Sequence, residues 1–125
     1  MEEKKKAMIV DDSRLTQKQL AQILTDCDID VTDIAANGVE AVDKVKANPN
    51  AFDLITLDIT MPQLDGVSAL KEIMQVNKNL RVLMVSAIGK ESVIKVCMAT
   101  GARNFIVKPF HAEKVKEIVK ATLAA

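Results

Sequence analysis

The sequence is poor in aromatic residues: it contains no tryptophan, no tyrosine and only three phenylalanines. It also lacks the glycine patterns GxGxxG and GxxxxGK[ST]. A bound flavin ring needs flat side chains beside it, and a bound nucleotide needs a glycine-rich loop around its phosphates. We therefore disfavour a flavin-binding or nucleotide-binding function.

The sequence also has only two cysteines, no net charge and no long apolar run. The two cysteines, Cys27 and Cys97, have no CxxC spacing, so we expect neither a disulfide nor a zinc site. Seventeen basic residues balance seventeen acidic ones, which leaves no net charge to attract nucleic acid or an anionic membrane. No apolar stretch is long enough to span a membrane, and the charged run from Met1 to Lys6 contains no signal-peptide core. We expect a cytoplasmic protein.

What the sequence does contain is an alternation of short apolar runs with segments of helical period. Its 125 residues suffice for one domain, spanning 1–125, with a genuine core. The alternation predicts an α/β domain in which helices cover both faces of a parallel sheet. The predicted strands are 6–10, 31–35, 53–57, 81–85 and 103–107.

The apolar residues between these strands recur at helical spacing. The predicted stripes are Leu20, Ile23, Leu24 and Cys27; Val39, Val42 and Val45; Val67, Leu70, Ile73 and Met74; and Val115, Ile118, Val119, Thr122 and Leu123. The fourth helix, at about 90–99, is different because apolar residues nearly surround it. That pattern fits either a docking face or a helix packed on two sides in a homodimer.

Polar residues follow four of the five predicted strands. Asp11 and Asp12 follow the first strand, Asp58 the third, Ser86 the fourth and Lys108 the fifth. The carboxyl ends of parallel strands meet at one edge of a sheet, where open α/β folds bind their ligands. We therefore expect three carboxylates, a hydroxyl and an ammonium group to converge on one shallow site.

This set of groups predicts phosphoryl chemistry. Unit charges about 4 Å apart repel by roughly 4 kcal/mol at an effective dielectric constant near 20, so clustered carboxylates call for a cation. Mg²⁺ favours carboxylate, water and phosphoryl oxygens. Asp58 could then attack phosphorus, while Ser86 and Lys108 each bind a phosphoryl oxygen. Such positioning and charge stabilisation are what phosphoryl transfer requires.

Each polar residue also has an ordinary structural explanation. Asp12 or Ser13 could cap the following helix, Ser86 could open a loop, and Lys108 with Pro109 could form a turn. These explanations deal with one residue at a time. They do not explain why all the polar residues follow strands at one predicted edge, so we favour a shared site.

The sequence resembles the receiver domains of bacterial response regulators, specifically the stand-alone chemotaxis type. The resemblance covers essentially the whole chain, and its motifs are specific as a set. The matching segments are Ile9-Val10-Asp11-Asp12-Ser13, Asp58-Ile59-Thr60-Met61-Pro62, Asp65-Gly66, Val85-Ser86-Ala87, Gly101-Ala102 and Phe105-Ile106-Val107-Lys108-Pro109-Phe110. It implies a single flavodoxin-like domain, a doubly wound five-stranded parallel sheet in the order 2-1-3-4-5 with five helices.

The resemblance also implies a role for each site residue. Asp58 would be the phosphoacceptor, Ser86 and Lys108 would bind the phosphoryl group, and Ala87 would leave room for the phosphodonor. The Lys108–Pro109 peptide bond would be cis. The implied Mg²⁺ ligands are the side chains of Asp11, Asp12 and Asp58 and the backbone carbonyl of Thr60.

Signal output in receivers depends on a second pair of residues. The resemblance implies that Ser86 moves toward the phosphoryl group and that Phe105 swings into the space it leaves, which changes the surface of the fourth helix, fifth strand and fifth helix. Many chemotaxis-type receivers carry tyrosine at the position of Phe105. Because phenylalanine has no hydroxyl group, output through a hydrogen bond from that hydroxyl is excluded here.

The function that follows is a phosphorylation-activated switch of a two-component system, not an enzyme acting on other molecules. A histidine kinase would donate the phosphoryl group, a target such as the flagellar motor switch would bind the altered surface, and a phosphatase is a further candidate partner. Nucleic acid and membrane are not expected partners. A phosphorelay intermediate is the alternative role within the family.

A haloacid-dehalogenase-type phosphatase is the main rival from another class. It also uses an aspartate nucleophile with Mg²⁺, but it needs a second aspartate two residues later as general acid. Thr60 occupies that position in this sequence, so turnover of small phosphate esters is disfavoured.

Overall fold

The computed structural model describes residues 3–61 and 63–124. Outside the described residues lie Met1, Glu2, Pro62 and Ala125. Two sequence features are affected, because Met1 and Glu2 begin the charged N-terminal run and Pro62 ends one of the segments that carry the family resemblance.

Five strands alternate with five helices along the described chain. The strands are β1 (Lys6–Val10), β2 (Asp30–Ala35), β3 (Leu54–Leu57), β4 (Arg81–Ser86) and β5 (Asn104–Val107). The helices are α1 (Arg14–Asp26), α2 (Gly38–Ala47), α3 (Gly66–Val76), α4 (Glu91–Thr100) and α5 (Ala112–Ala124). Each strand begins and ends within one residue of its predicted bounds.

All five strands pair in parallel, in the order β2-β1-β3-β4-β5. This confirms the flavodoxin-like, doubly wound architecture. The register aligns the carboxyl ends of the strands: Val10 pairs with Leu57, and Ser86 pairs with Val107. The residues that follow these strands therefore meet at one edge, as the sequence pattern predicts.

The core lies in two layers, one on each face of the sheet. Ile55 and Leu57 of β3 face the layer built by α2 and α3, whereas Leu54 faces the layer built by α1 and α5. All four β3 residues are buried, which explains why this strand has no polar alternation. Cys97 lies in the first layer and Cys27 is half-buried at the end of α1; both thiols are free.

Two helices bury a different set of apolar residues from the one that their sequence patterns indicate. In α2 the prediction that Val39 belongs to the buried stripe is wrong, since that side chain is 44% exposed. Ala41 instead completes the buried stripe with Val42 and Val45. In α4 only Cys97 is buried, while Val96 and Met98 are 48% and 42% exposed. The nearly all-round apolar pattern of α4 therefore corresponds to an exposed apolar surface.

Side-chain caps fix the helix that follows the predicted acceptor. The Asp65 carboxylate accepts hydrogen bonds from the backbone N–H and the hydroxyl of Ser68 at the start of α3. The backbone N–H of Ser68, which favours the charged carboxylate, holds the pKa of Asp65 below its ordinary value. The β3–α3 connection thus ends at a well-defined residue.

Among the described residues, no helix combines the length and apolar character needed to cross a bilayer.

One buried polar atom in the described core is unsatisfied. The Thr56 hydroxyl lies in the middle of β3 and has no hydrogen-bond partner, whereas the buried Thr122 hydroxyl of α5 donates to the carbonyl of Ile118 at 2.7 Å. An unpaired buried hydroxyl costs about 1–3 kcal/mol, so the two threonines should respond differently to loss of the hydroxyl group.

We expect Thr56→Val to raise the free energy of unfolding by about 1 kcal/mol, because valine keeps the shape and removes the unpaired group. Thr122→Val is the matched control, and it should leave stability unchanged or lower it, since it removes a hydrogen bond. Urea unfolding of the two variants beside the parent checks this. A loss of stability in Thr56→Val would show that its hydroxyl is satisfied in solution.

Candidate functional site

Three carboxylates meet at the carboxyl edge of the sheet. Asp11 and Asp12 follow β1 and Asp58 follows β3, and one oxygen from each lies within 4.8 Å of the others. Asp11 and Asp58 are only 1% and 5% exposed, whereas Asp12 is open to solvent. The cluster therefore has two buried carboxylates and one accessible carboxylate that can complete a coordination site.

Lys108 supplies the compensating positive charge. Its Nζ donates to Asp11 Oδ2 at 2.9 Å and lies 3.6 Å from Asp58 Oδ2. The backbone holds this lysine in place, because its N–H donates to the Ser86 carbonyl at 2.8 Å. The peptide bond between Lys108 and Pro109 is cis. The ammonium group thus bridges the two buried carboxylates.

The Asp58 carboxylate is fixed on both sides. Its Oδ1 accepts a hydrogen bond from the Ile59 backbone N–H at 2.8 Å, which leaves Oδ2 facing Lys108. Burial raises the pKa of Asp58 and the charge of Asp11 raises it further, while Lys108 and the Ile59 N–H act in the opposite direction. The Asp58 carboxylate therefore has a fixed orientation, but its ionised form is disfavoured by burial and by the neighbouring charge of Asp11.

Gly66 allows the chain to fold tightly behind Asp58. The Gly66 N–H donates to the Ile59 carbonyl at 2.8 Å, and a Cβ at this glycine would stand 2.0 Å from the Asp58 carbonyl oxygen. No side chain fits at that separation. The glycine is thus required by the close approach of α3 to the end of β3.

The remaining predicted residues surround this centre. Ser86 is fully buried at the end of β4, and its hydroxyl accepts a hydrogen bond from the Ile88 N–H at 3.1 Å. Thr60 is exposed two residues after Asp58, and Phe105 is half-buried on β5, packed against the α2–α3 layer. A cavity of about 340 Å³ opens beside Lys108, lined by Ala87, Pro109 and three other residues that include Phe110.

Comparison of this chain with known protein families identifies the family to which it belongs. A family model described as the response regulator receiver domain matches residues 7–120. This chain belongs to the response regulator receiver family. Members of the family are signalling switches that interact with kinases and targets, so the receiver is not an enzyme in the ordinary sense.

Several relatives of this receiver carry the same name. The chemotaxis protein CheY of Treponema pallidum is 44% identical over 118 residues, which cover 94% of this chain and 82% of the relative. The chemotaxis protein CheY of Bacillus subtilis is 42% identical over 116 residues, covering 93% and 95%. Among solved structures, the CheX–CheY–BeF3–Mg complex from Borrelia burgdorferi matches with a TM-score of 0.90 and 48% identity, covering 93% of this chain and 87% of that chain.

One residue that contacts the receiver site is absent from the sequence prediction. The Gln17 side chain in the first turns of α1 donates from Nε2 to the Asp11 backbone carbonyl at 2.6 Å. A second contact comes from the Ser13 N–H, which donates to Asp11 Oδ1 at 2.9 Å while the Ser13 hydroxyl caps α1. No sequence signal distinguishes Gln17 from the other polar residues of α1, because its role depends on where its side chain points.

The acidic cluster makes a prediction about stability and pH. A carboxyl group whose pKa is raised by folding stabilises the fold below its unfolded pKa, near 3.9, and that contribution is lost as pH rises through the folded value. Asp58→Asn has no such group to ionise. In metal-free buffer it should therefore exceed the parent in stability by on the order of 1 kcal/mol at neutral pH, since the cost of burying the charge and part of the Asp11 repulsion are both removed.

The measurement is urea unfolding with a chelator present, from pH 4 to pH 7.5, with Asp43→Asn on the exposed face of α2 as control. The gap between Asp58→Asn and the parent should widen as pH rises, and the control should show no comparable change. A gap that is constant across this range, or that narrows, would contradict the electrostatic description of the site.

Proposed function

We propose that this receiver is a phosphorylation-activated switch in which Asp58 accepts a phosphoryl group from a histidine kinase with the help of Mg²⁺. The observation that carries the proposal is the pairing of a buried, oriented carboxylate with an ammonium group at 3.6 Å and two further carboxylates within reach of one ion. We propose residues 1–125 as one receiver domain acting in the cytoplasm.

The donor chemistry supports Mg²⁺ as the ion. Every side-chain ligand in the cluster is a carboxylate, which suits a hard oxygen-seeking cation. Among the described residues, Lys108 is the one ammonium group that contacts the cluster, and it reaches two of the three acids, Asp11 and Asp58. Asp11, Asp12 and Asp58, with the Thr60 carbonyl, would hold the ion. When bound, it neutralises negative charge on the cluster and on the phosphoryl oxygens.

In the proposed transfer, a carboxylate oxygen of Asp58 forms the new O–P bond as the P–N bond to the donor histidine breaks. The electron pair of the broken bond returns to the histidine nitrogen. Lys108 pairs with one phosphoryl oxygen as a point charge. Ser86 can donate to another, because its bond from Ile88 occupies a lone pair and leaves the hydroxyl hydrogen available.

Hydrolysis of the aspartyl phosphate returns the carboxylate, so the protein promotes only its own phosphorylation and dephosphorylation. Water attacks phosphorus, the O–P bond to Asp58 breaks, and inorganic phosphate leaves. The cavity beside Lys108 supports access for a phosphodonor, since the small side chain of Ala87 lies at its wall. Thr60, two residues after Asp58, is exposed and offers no carboxylate that could act as general acid.

The proposed output surface is α4–β5–α5. Val96 and Met98 of α4 and Val107 of β5 expose 48%, 42% and 44% of their surfaces, and apolar side chains of this kind fit a protein target. Ser86 and Phe105 would couple this surface to the site, since both belong to the strand pair β4–β5. Phosphorylation would bias this pair toward a second arrangement.

Chemotaxis is the pathway that the relatives favour. Those from Treponema pallidum and Bacillus subtilis are named chemotaxis proteins, and the flagellar motor switch is the target class we propose. The Borrelia burgdorferi structure pairs its CheY with CheX in the presence of BeF3 and Mg. A phosphatase that binds the phosphorylated site is therefore a further proposed partner.

Phosphorylation at Asp58 can be tested directly with radiolabelled acetyl phosphate. The parent should incorporate label only when Mg²⁺ is present, and Asp58→Asn should incorporate none because an amide is not nucleophilic enough toward phosphorus. Asp53→Asn is the matched control, since Asp53 lies at the opposite end of β3 and accepts a backbone hydrogen bond from Lys6. Stable label on another residue of Asp58→Asn would refute the assignment.

The switch makes a separate prediction that needs no partner. Adding beryllofluoride and Mg²⁺ should change amide hydrogen exchange across α4 and β5 and leave α2 unchanged. Ser86→Ala should reduce the change at α4 and β5, because alanine cannot donate to the phosphoryl mimic. Asp58→Asn should show no response. Changes of equal size in α2 and α4 would contradict a signal routed through the β4–β5 pair.

A further inference from the structure

The Asp11–Asp12 peptide lies where the β1 ladder ends. The backbone N–H of Asp11 still continues the ladder, since it donates to the Ala35 carbonyl of β2 at 3.0 Å. The Asp11 carbonyl accepts instead from a side chain, that of Gln17, at 2.6 Å. Because a carbonyl oxygen can only accept, the amide nitrogen of Gln17 must face it.

This bond sets the orientation of the second residue that follows β1, Asp12. A peptide group is planar, so fixing the Asp11 carbonyl also fixes the nitrogen of Asp12 and the direction in which its Cα leaves the plane. The Asp11 side chain has its own contacts with Ser13 and Lys108. The Asp12 side chain has no hydrogen-bond partner or ion pair among the described residues, so its position depends on the backbone alone.

We infer that Gln17 is a positioning residue for metal binding, acting through the Asp11–Asp12 peptide. This inference rests on the proposed function, since it concerns the same Mg²⁺ site. Gln17 itself touches neither the ion nor the phosphoryl group. Without its amide donor, the carbonyl would turn toward water and Asp12 would sample several directions, so the ion would have to order this ligand as it binds.

Such outer contacts commonly set metal affinity, and their loss typically weakens binding by 10–100-fold. Because the contact here acts through one peptide group on one exposed ligand, the lower end of that range applies. Gln17→Met is the suitable variant: it keeps the length and helix propensity of the side chain and removes only the donor.

The matched control is Gln22→Met on the same helix. The Gln22 amide also donates a hydrogen bond, to Asp26 at 2.9 Å, but that bond is exposed and lies toward the far end of α1 from the acidic cluster. Both variants therefore lose one amide hydrogen bond of α1. Only Gln17→Met loses a bond that reaches the site.

The experiment is calorimetric titration of the full chain with Mg²⁺, beside urea unfolding in metal-free buffer. Gln17→Met should raise the Mg²⁺ dissociation constant roughly tenfold, and Gln22→Met should change it less than about twofold. Saturating Mg²⁺ should restore phosphorylation of Gln17→Met by acetyl phosphate, because the ligands themselves are intact.

Three outcomes would overturn the inference. If Gln17→Met lowers only the free energy of unfolding and keeps the parent's Mg²⁺ affinity, Gln17 is merely structural. If both variants lose affinity equally, the effect belongs to α1 as a whole. If the parent itself binds no Mg²⁺, the inference and the proposed function fail together, whereas in the first two cases the proposed function stands.

Discussion

The contact between Lys108 and the buried carboxylates is the interaction on which the rest of the site depends. Two carboxylates with less than one-tenth of their surface exposed would destabilise the fold if they stood alone, because burial penalises their charge. The ammonium group of Lys108, 97 residues away in sequence from Asp11, offsets that penalty. Three carboxylates against one ammonium group still leave an excess of negative charge, which favours a cation at this site.

The same hydrogen bonds that extend the sheet also place these groups. The Asp58 N–H donates to the Val10 carbonyl, the Asp11 N–H to Ala35, and the Lys108 N–H to Ser86, each at 3.0 Å or less. These bonds continue the parallel ladder one residue beyond the strands. A residue at such a position keeps a strand-like backbone while its side chain reaches past the covered faces. The geometry of the site is therefore inherited from the register of the sheet, not from flexible loops.

Those features explain why so much could be predicted from the sequence. A parallel sheet buried on both faces needs uninterrupted apolar runs, so β3 and β4 are recognisable, and the first polar residue after each run identifies the edge. What could not be predicted depends on side-chain direction. Val39 has the right spacing for the core, yet Ala41 occupies the buried position of α2. Gln17 is one of several polar residues on α1, and only the structure shows its amide reaching Asp11.

The electrostatic strain at Asp58 also bears on how the switch could work. Burial and Asp11 both disfavour the ionised carboxylate and raise the pKa of Asp58, so the dephosphorylated state holds charge that the fold tolerates at a cost. In the proposed switch, phosphorylation of Asp58 would add further negative charge and new acceptor oxygens beside Lys108 and Ser86. A modification shifts a two-state equilibrium only by its different interaction energies with the two states. The Ser86 hydroxyl is buried and accepts a hydrogen bond from Ile88, in the loop that leads into α4. We therefore expect a changed hydrogen bond at Ser86 to alter this loop, which would connect charge at Asp58 with the apolar surface of α4.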